Sequence, residues 1–330
     1  MVNVRRSFAA CAAAAALIAA IVLGNAGRAP AAGEPAPQSV TIAYQPGIGY
    51  ANLIALKESG ALEKRFPHTA FEWKVLASGS AIRDGMIAGQ IQIGAGGSPP
   101  FLIAWDRGVD VKLIGALDEA SLWLMTRAPN VHNLKDLSRS ARIGLPAPDS
   151  IQAIVLRKAA QQQLGDAHAF DANLVAIAHP LGLAALAGGQ IDAHLTSPPF
   201  QEEEQAAGAH PILKSYDVFG RSTFNVIYTT GAFAKQYPAF VTGFARELRT
   251  ATELVAKNPQ LVSEYLAKDA GGGTPAATFK RWLASASITW TTVPHGLLGY
   301  AKFMKEIGYL SKAPANIGEL ELPVAAGQGD

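Results

Sequence analysis

Cysteine is nearly absent: the 330-residue chain has one, Cys11. It lies inside an N-terminal apolar run, so a chain that sheds this run keeps none. Disulfides, thiol nucleophiles and cysteine-ligated metals are then excluded together. Charge is scarce too, at 16% of residues against about 25% in an ordinary domain. Lys plus Arg number 28 and Asp plus Glu 26, and losing Arg5 and Arg6 with the leader leaves 26 of each sign. Such a chain has no broad basic face for nucleic acid or acidic lipid. The histidines, His68, His132, His168, His179, His194, His210 and His295, include no i, i+4 pair and no His-Glu-x-x-His, so no metal is expected. Neither Gly97-Ser98-Pro99 nor Ser78-Gly79-Ser80 forms a Gly-x-Ser-x-Gly elbow, and dinucleotide and Walker glycine loops are missing. No catalytic residue is assigned, no cofactor is expected, and the chain reads as a binder rather than an enzyme.

What is present is a large apolar fraction, 49%, on a chain long enough for two domains. Arg5 and Arg6 precede an apolar run over 8–23, and small Gly24 and Ala26 follow it. This order is that of a secretory signal, and the run is shorter than the ~20 residues of a membrane span. Residues 1–26 are therefore read as a signal peptide and the mature protein as periplasmic, with an uncleaved anchor as the alternative. Arg5-Arg6-Ser7-Phe8 loosely fits a twin-arginine signal, but Val4 precedes it, and the export route stays open. Residues 27–38, rich in Ala, Pro and Gly, read as a flexible lead-in.

From Ser39 onward, strands alternate with helices. Strands are expected over 40–44, 71–76, 91–95 and 111–116, with helices over 50–58 and 81–88, the latter capped by Ser80. The pattern restarts with strands over 141–144, 173–177 and 191–195 and helices over 151–164 and 181–187. Asp149 or Ser150 caps the first of these two helices. This alternation predicts an α/β fold with largely parallel sheets. Residues 240–307 read as mostly helical, a tail packed around one lobe. An internal echo stands out. Gly89-Gln90-Ile91 leads to Ser98-Pro99-Pro100-Phe101, and Gly189-Gln190-Ile191 leads to Ser197-Pro198-Pro199-Phe200. We read it as two similar lobes with matching loops.

Ligands of open α/β sheets bind beyond the carboxyl ends of the strands. The loops there are 45–49, 78–80, 96–100, 146–150 and 196–199, and their side chains are small and neutral. Helices starting from them offer free N–H groups and the positive dipole end to an oxyanion. His194 is read as a wall residue, the five tryptophans as core, and Glu202-Glu203-Glu204 as a solvated helix start.

These residues resemble a known family. Tyr44-Gln45-Pro46-Gly47, Glu72-Trp73-Lys74-Val75, Ser78-Gly79-Ser80-Ala81, Ala88 to Gly94 with Ser98-Pro99-Pro100, Thr196-Ser197-Pro198-Pro199-Phe200 and Ser222-Thr223-Phe224-Asn225-Val226 resemble the nitrate/sulfonate/taurine group of ABC-importer substrate-binding proteins. The resemblance implies a two-lobed type II periplasmic-binding-protein fold, each lobe a mainly parallel sheet flanked by helices, joined by two crossover segments. Lobe I is expected over 39–122 plus 226–330 and lobe II over 123–225, with crossings near 120–124 and 222–227. It also implies hinge closure on a small oxyanion or polar molecule, and delivery by a monomer to an ABC permease with its ATPase. The expected ligand-binding residues are Gln45, Gly49, Ser78, Gly79, Ser80, Gly97, Ser98, Pro99, Ser150, Thr196, Ser197, Thr223 and Asn225. Gln92 departs from the group, which often has Asp there. A related branch makes thiamin pyrimidine with a cysteine-rich segment, and a cysteine-free mature chain is not expected to share that activity. The rival readings are an enzyme on this scaffold and a sensory receptor for a membrane kinase.

Overall fold

Alternating burial along Ser39–Tyr44, with Val40 and Ile42 fully covered, marks a strand whose far end runs into the interior. The structure, a computed structural model, describes residues 36–284 and 287–325. The expected signal peptide, Cys11 and residues 27–35 of the lead-in lie outside the described residues.

In chain order the elements are β1 (Ser39–Tyr44), α1 (Ala51–Glu58), α2 (Ala61–Arg65), β2 (Ala70–Val75), α3 (Gly79–Ile87), β3 (Ile93–Gly97), α4 (Ser98–Asp106), β4 (Val111–Ala116), β5 (Asp118–Ala120) and β6 (Trp123–Thr126). Then come β7 (Ile143–Leu145), α5 (Ile151–Leu164), β8 (Leu174–Ala176), α6 (His179–Ala187), β9 (Ala193–Thr196), α7 (Phe200–Ala206), β10 (His210–Lys214), α8 (Tyr216–Phe219) and β11 (Asn225–Thr230). The chain closes with α9 (Gly231–Gln236), α10 (Pro238–Lys257), α11 (Pro259–Asp269), α12 (Ala276–Leu283), β12 (Ile288–Trp290) and α13 (Leu297–Glu306).

Two five-stranded sheets result, ordered β2-β1-β3-β11-β4 and β8-β7-β9-β6-β10. The orders are identical once β1, β2, β3 and β4 are matched with β7, β8, β9 and β10. In each sheet the central strands run parallel, and one strand, β11 or β6, is antiparallel to both neighbours. That strand has just crossed from the other sheet. The expected two-lobed α/β fold with two crossover segments is therefore present. The sequence echo falls at β3–α4 and β9–α7, equivalent places in the two lobes.

The crossings lie side by side. Phe224 N donates to Asp118 O (3.0 Å) and Leu117 N to Asn225 O (2.9 Å). Glu119 accepts from Arg221 Nη2 at 3.0 Å, and its other oxygen lies 2.5 Å from His295 Nδ1. Gln92 ties the first sheet together instead of facing a ligand: its Oε1 accepts from Thr41 N and its carbonyl from Thr229 Oγ1.

Three local expectations are corrected. Ser78, not Ser80, caps α3, because it is extended and its Oγ accepts from Ala81 N (3.2 Å). Glu204 is buried rather than solvated, since the first turn of α7 packs onto β6 and the third glutamate turns inward. The tail is not confined to one lobe. Helix α13 packs on both α4 and α5. There Gln161 Nε2 donates to Glu306 (2.8 Å), and Lys158 stands 4.5 Å above the Phe303 ring.

The hinge pair makes a pH prediction. Burial raises the Glu119 pKa, but bonds from His295 and Arg221 outweigh it and leave the carboxyl below its ordinary value. A depressed acid stabilises the fold above its unfolded pKa, and that stability is lost as pH falls through the folded value. Between about pH 6 and about pH 3, urea denaturation should show wild type losing more stability than Glu119→Gln. Equal losses would mean that the pair contributes nothing to the hinge.

Candidate functional site in the cleft between the sheets

The carboxyl ends of β1, β2 and β3 face those of β7, β8 and β9 across a narrow cleft. Between them lies an inner cavity of ≈ 20 Å³, room for about one water molecule. Its first-lobe wall is the 45–50 turn with Gly79, Gly97 and Pro100. Its second-lobe wall is Ser150, Ile151, Gln152, His179, Ser197 and Pro198, and Phe224 from a crossing completes it. Helices α3, α4, α5 and α6 all begin at this cavity. The first N–H groups of a helix have no acceptor within it, and its dipole adds positive potential at that end. Ser78 Oγ and Ser150 Oγ take only Ala81 N–H and Ala153 N–H. The described residues that line the cavity include no Lys, Arg, Asp or Glu.

Polar side chains back each wall. Gln45 Nε2 donates to Tyr50 OH, which donates to Asn225 Oδ1, both at 2.8 Å. Burial, with Asp118 second, pushes the Tyr50 phenol well above its ordinary value, so it remains a donor. Asn225 N donates to Asp118 Oδ1 at 3.0 Å. Burial holds Asp118 well above the usual carboxylate range against the bonds from Asn225. A Cβ on Gly49 would stand 2.8 Å from both Asn225 Nδ2 and Asp118 Oδ2, so only glycine passes there. On the opposite wall, Gln152 Nε2 and Thr196 Oγ1 each lie 3.1 Å from a ring nitrogen of His179. That ring stacks on Phe200. Burial, then His194, pushes the His179 imidazole well below its ordinary value.

The lobes touch across the cleft. Ser80 Oγ donates to Asp149, and Arg83 Nη1 bonds the other oxygen of the same carboxylate at 2.6 Å. A Cβ on Gly97 would lie 3.1 Å from Ile151 Cγ2. Beyond Gln45, Pro46 and Gly47 the cleft opens into an outer chamber of ≈ 350 Å³. Tyr44, Ile54, Phe279 and Trp282 wall it from the first lobe, and Pro180, Pro199 and Phe200 from the second.

Of the residues singled out from sequence, Gln45, Gly49, Gly79, Gly97, Ser150 and Ser197 line the inner cavity. The others stand one layer back. Ser78 caps α3, Ser80 bonds Asp149, and Ser98 and Pro99 are buried in the first turn of α4. Thr196 bonds His179, Thr223 Oγ1 accepts from His295 N, and Asn225 accepts from Tyr50. Sequence reasoning missed Tyr50, Ile151, Gln152, His179 and Phe224. A signal existed for His179: it follows β8, so the strand-end rule that selected the other loops applies to residues 177–180 as well.

The sequence profile of the NMT1-like family matches residues 33–269. An aliphatic sulfonates-binding protein of Escherichia coli (strain K12) is 23% identical over 248 residues, 74% of this chain and 75% of that protein. The periplasmic aliphatic sulphonate binding protein SsuA from Escherichia coli superposes with a TM-score of 0.66 at 19% identity, covering 87% of this chain and 98% of the other. The ligand binding component of an ABC-type import system from Staphylococcus aureus does so with a TM-score of 0.71 at 14% identity, covering 88% and 99%. At such identities the two structures establish the fold. The profile spans well over half of the chain, which belongs to the NMT1-like family.

Proposed function

We propose that this chain is the exported solute receptor of an ABC importer, closing on a small organic anion of the alkanesulfonate type. One observation carries the reading: helix starts from both lobes converge on one cavity whose described lining residues include no cationic side chain. Backbone N–H groups and hydroxyls in that arrangement suit a singly charged oxyanion better than a polyanion. The mostly apolar outer chamber, whose Asp269 is bonded by Tyr44 and Lys57, supports an organic body behind the charged head, and so a sulfonate over nitrate. A cavity of ≈ 20 Å³ is too small for a sulfonate group, so entry is coupled to lobe movement. A ligand touching both lobes favours the closed state by its differential affinity. The similarity to sulfonate-binding and importer proteins supports periplasmic location and delivery to a permease with its ATPase. In this reading the lobes divide at 122–123 and 225–226, beside the paired crossings.

A thermal-shift and calorimetric screen of the mature protein tests it. Alkanesulfonates, taurine, nitrate and nitrogen heterocycles form the panel, and a saturable rise in Tm with at least one sulfonate is expected. Turnover of a panel member, or no binding by any, would overturn the reading. Gly97→Val tests closure itself. Gly97 has φ −57° and ψ 145°, open to any residue, so the variant should keep its ligand-free Tm. Its affinity should fall at least tenfold, by roughly 1.4 kcal/mol or more, because its side chain meets Ile151 only when the lobes are together. Trp282→Ala should weaken long-chain and aryl sulfonates several-fold and leave methanesulfonate unchanged; equal losses for all would remove the outer chamber from the site.

A further inference from the structure

Behind the His179 wall of the cleft runs a buried chain of titratable side chains. Glu204 Oε1 lies 2.5 Å from His194 Nδ1. His194 Nε2 lies 3.5 Å from His179 Nδ1, and Thr196 Oγ1 stands 3.1 Å from that same His179 nitrogen. His179 Nε2 in turn lies 3.1 Å from Gln152 Nε2, and both residues line the inner cavity. The packing is shaped for the chain. A Cβ on Gly182 would stand 2.4 Å from His194 Nε2, so α6 can cover that ring only with glycine at this position. The second oxygen of Glu204 is buried with no hydrogen-bond partner among the described residues. Leu183, Leu186 and three alanines line the same pocket, with Arg127 turned to Ala187 O, and a neutral acid suits a buried, mostly apolar place better than a carboxylate.

We propose that the Glu204–His194–His179 chain delivers a proton to the cleft, so that an anionic ligand meets an imidazolium at His179. This rests on the anion-binding reading above and supplies the cationic partner that its wall lacks. Without ligand, the proton sits on Glu204 Oε1, and His194 and His179 each carry one on Nε2. When an anion enters, the Glu204 O–H bond breaks as His194 Nδ1 takes the proton, and the His194 Nε2–H bond breaks as His179 Nδ1 takes that one. Glu204 is left a carboxylate bonded by His194 Nδ1–H, and His179 carries both ring protons. The net charge of the chain is unchanged. The structure sets the Gln152 amide nitrogen 3.1 Å from His179 Nε2, so the relay has the amide turned about in both states, its oxygen accepting from Nε2–H.

The resting state is consistent with burial, which holds Glu204 up at about 8 and His194 down at about 3. The charged and titratable groups near Glu204 are few. His194 faces it from β9, with His179 of α6 behind, and Arg127 beyond β6 shares its pocket but bonds Ala187 O. On β10, His210 bonds Val131 O and Lys214 stacks on Trp123. Glu202 and Glu203 share its helix, and Glu202 bonds Ser287 Oγ.

The test is calorimetry with ethanesulfonate, whose own charge is constant over the range used. From about pH 6 to about pH 9.5, wild-type affinity should be flat and then fall roughly tenfold per pH unit once Glu204 ionises. Glu204→Gln still donates to His194 but cannot transfer a proton; it should bind at least tenfold more weakly at about pH 6 and show no pH dependence. A ligand-free measurement runs beside these. In the infrared spectrum at about pH 6, the carbonyl absorption of protonated buried carboxyls should lose one component, that of Glu204, between wild type and Glu204→Gln, while the component from Asp118 stays. If no component is lost, or if ethanesulfonate binds with pH-independent affinity, the relay is wrong while the receptor reading stands. If no sulfonate saturates the protein at any pH, both fall together.

Discussion

Everything in this molecule is arranged around the convergence of helix starts from two separate sheets on one small space. A helix cannot satisfy its own first N–H groups. Placing α3, α4, α5 and α6 with those ends together concentrates unpaired donors and positive potential where the lobes meet. Two sheets of equal topology can do this because each presents the carboxyl ends of β1, β2 and β3, or of β7, β8 and β9, to the other. Two glycines at the contact, Gly97 facing Ile151 and Gly47 facing Pro198 and Phe200, let the two walls approach within van der Waals distance.

The crossings explain how such a cleft stays in register. Each antiparallel strand, β6 or β11, enters its sheet directly from the other lobe, so the two hinge segments are anchored in the sheets themselves. Asp118, Glu119, Arg221 and His295 bind the segments to each other. Helix α13 adds a second tie, touching α4 of one lobe and α5 of the other. Motion of the lobes has to slide or tilt α13 as well as bend the crossings.

The electrostatics of the two walls differ. The first-lobe wall is a chain of neutral donors, Gln45 to Tyr50 to Asn225, ending on a buried acid held uncharged. The second-lobe wall is imidazole backed by imidazole and carboxyl. Burial sets both. It keeps phenol and carboxyls protonated and imidazoles neutral, so the closed cleft carries little fixed charge of its own. The Arg83 guanidinium is paired with Asp149 across the cleft.

Much of this was legible in the sequence by itself. Alternation of strand and helix, the Ser-Pro-Pro-Phe echo, and capping serines at strand ends determined the α/β class, the doubled lobe and the loops at the cleft, because all three are local patterns. Asp149 or Ser150 was legible as the cap of α5 for the same reason, and Ser150 fills that place. The rest was decided only by tertiary structure. Which small residues reach the cavity and which stand a layer behind, as Ser98 and Thr196 do, depends on the rotation of each helix against its sheet. The Glu204–His194–His179 chain joins α7, β9 and α6, and Glu204 read as a surface glutamate because nothing local distinguishes it from Glu202 and Glu203. Long-range contact assigns such residues their chemistry, since the burial that shifts a carboxyl or an imidazole exists only once distant segments have packed.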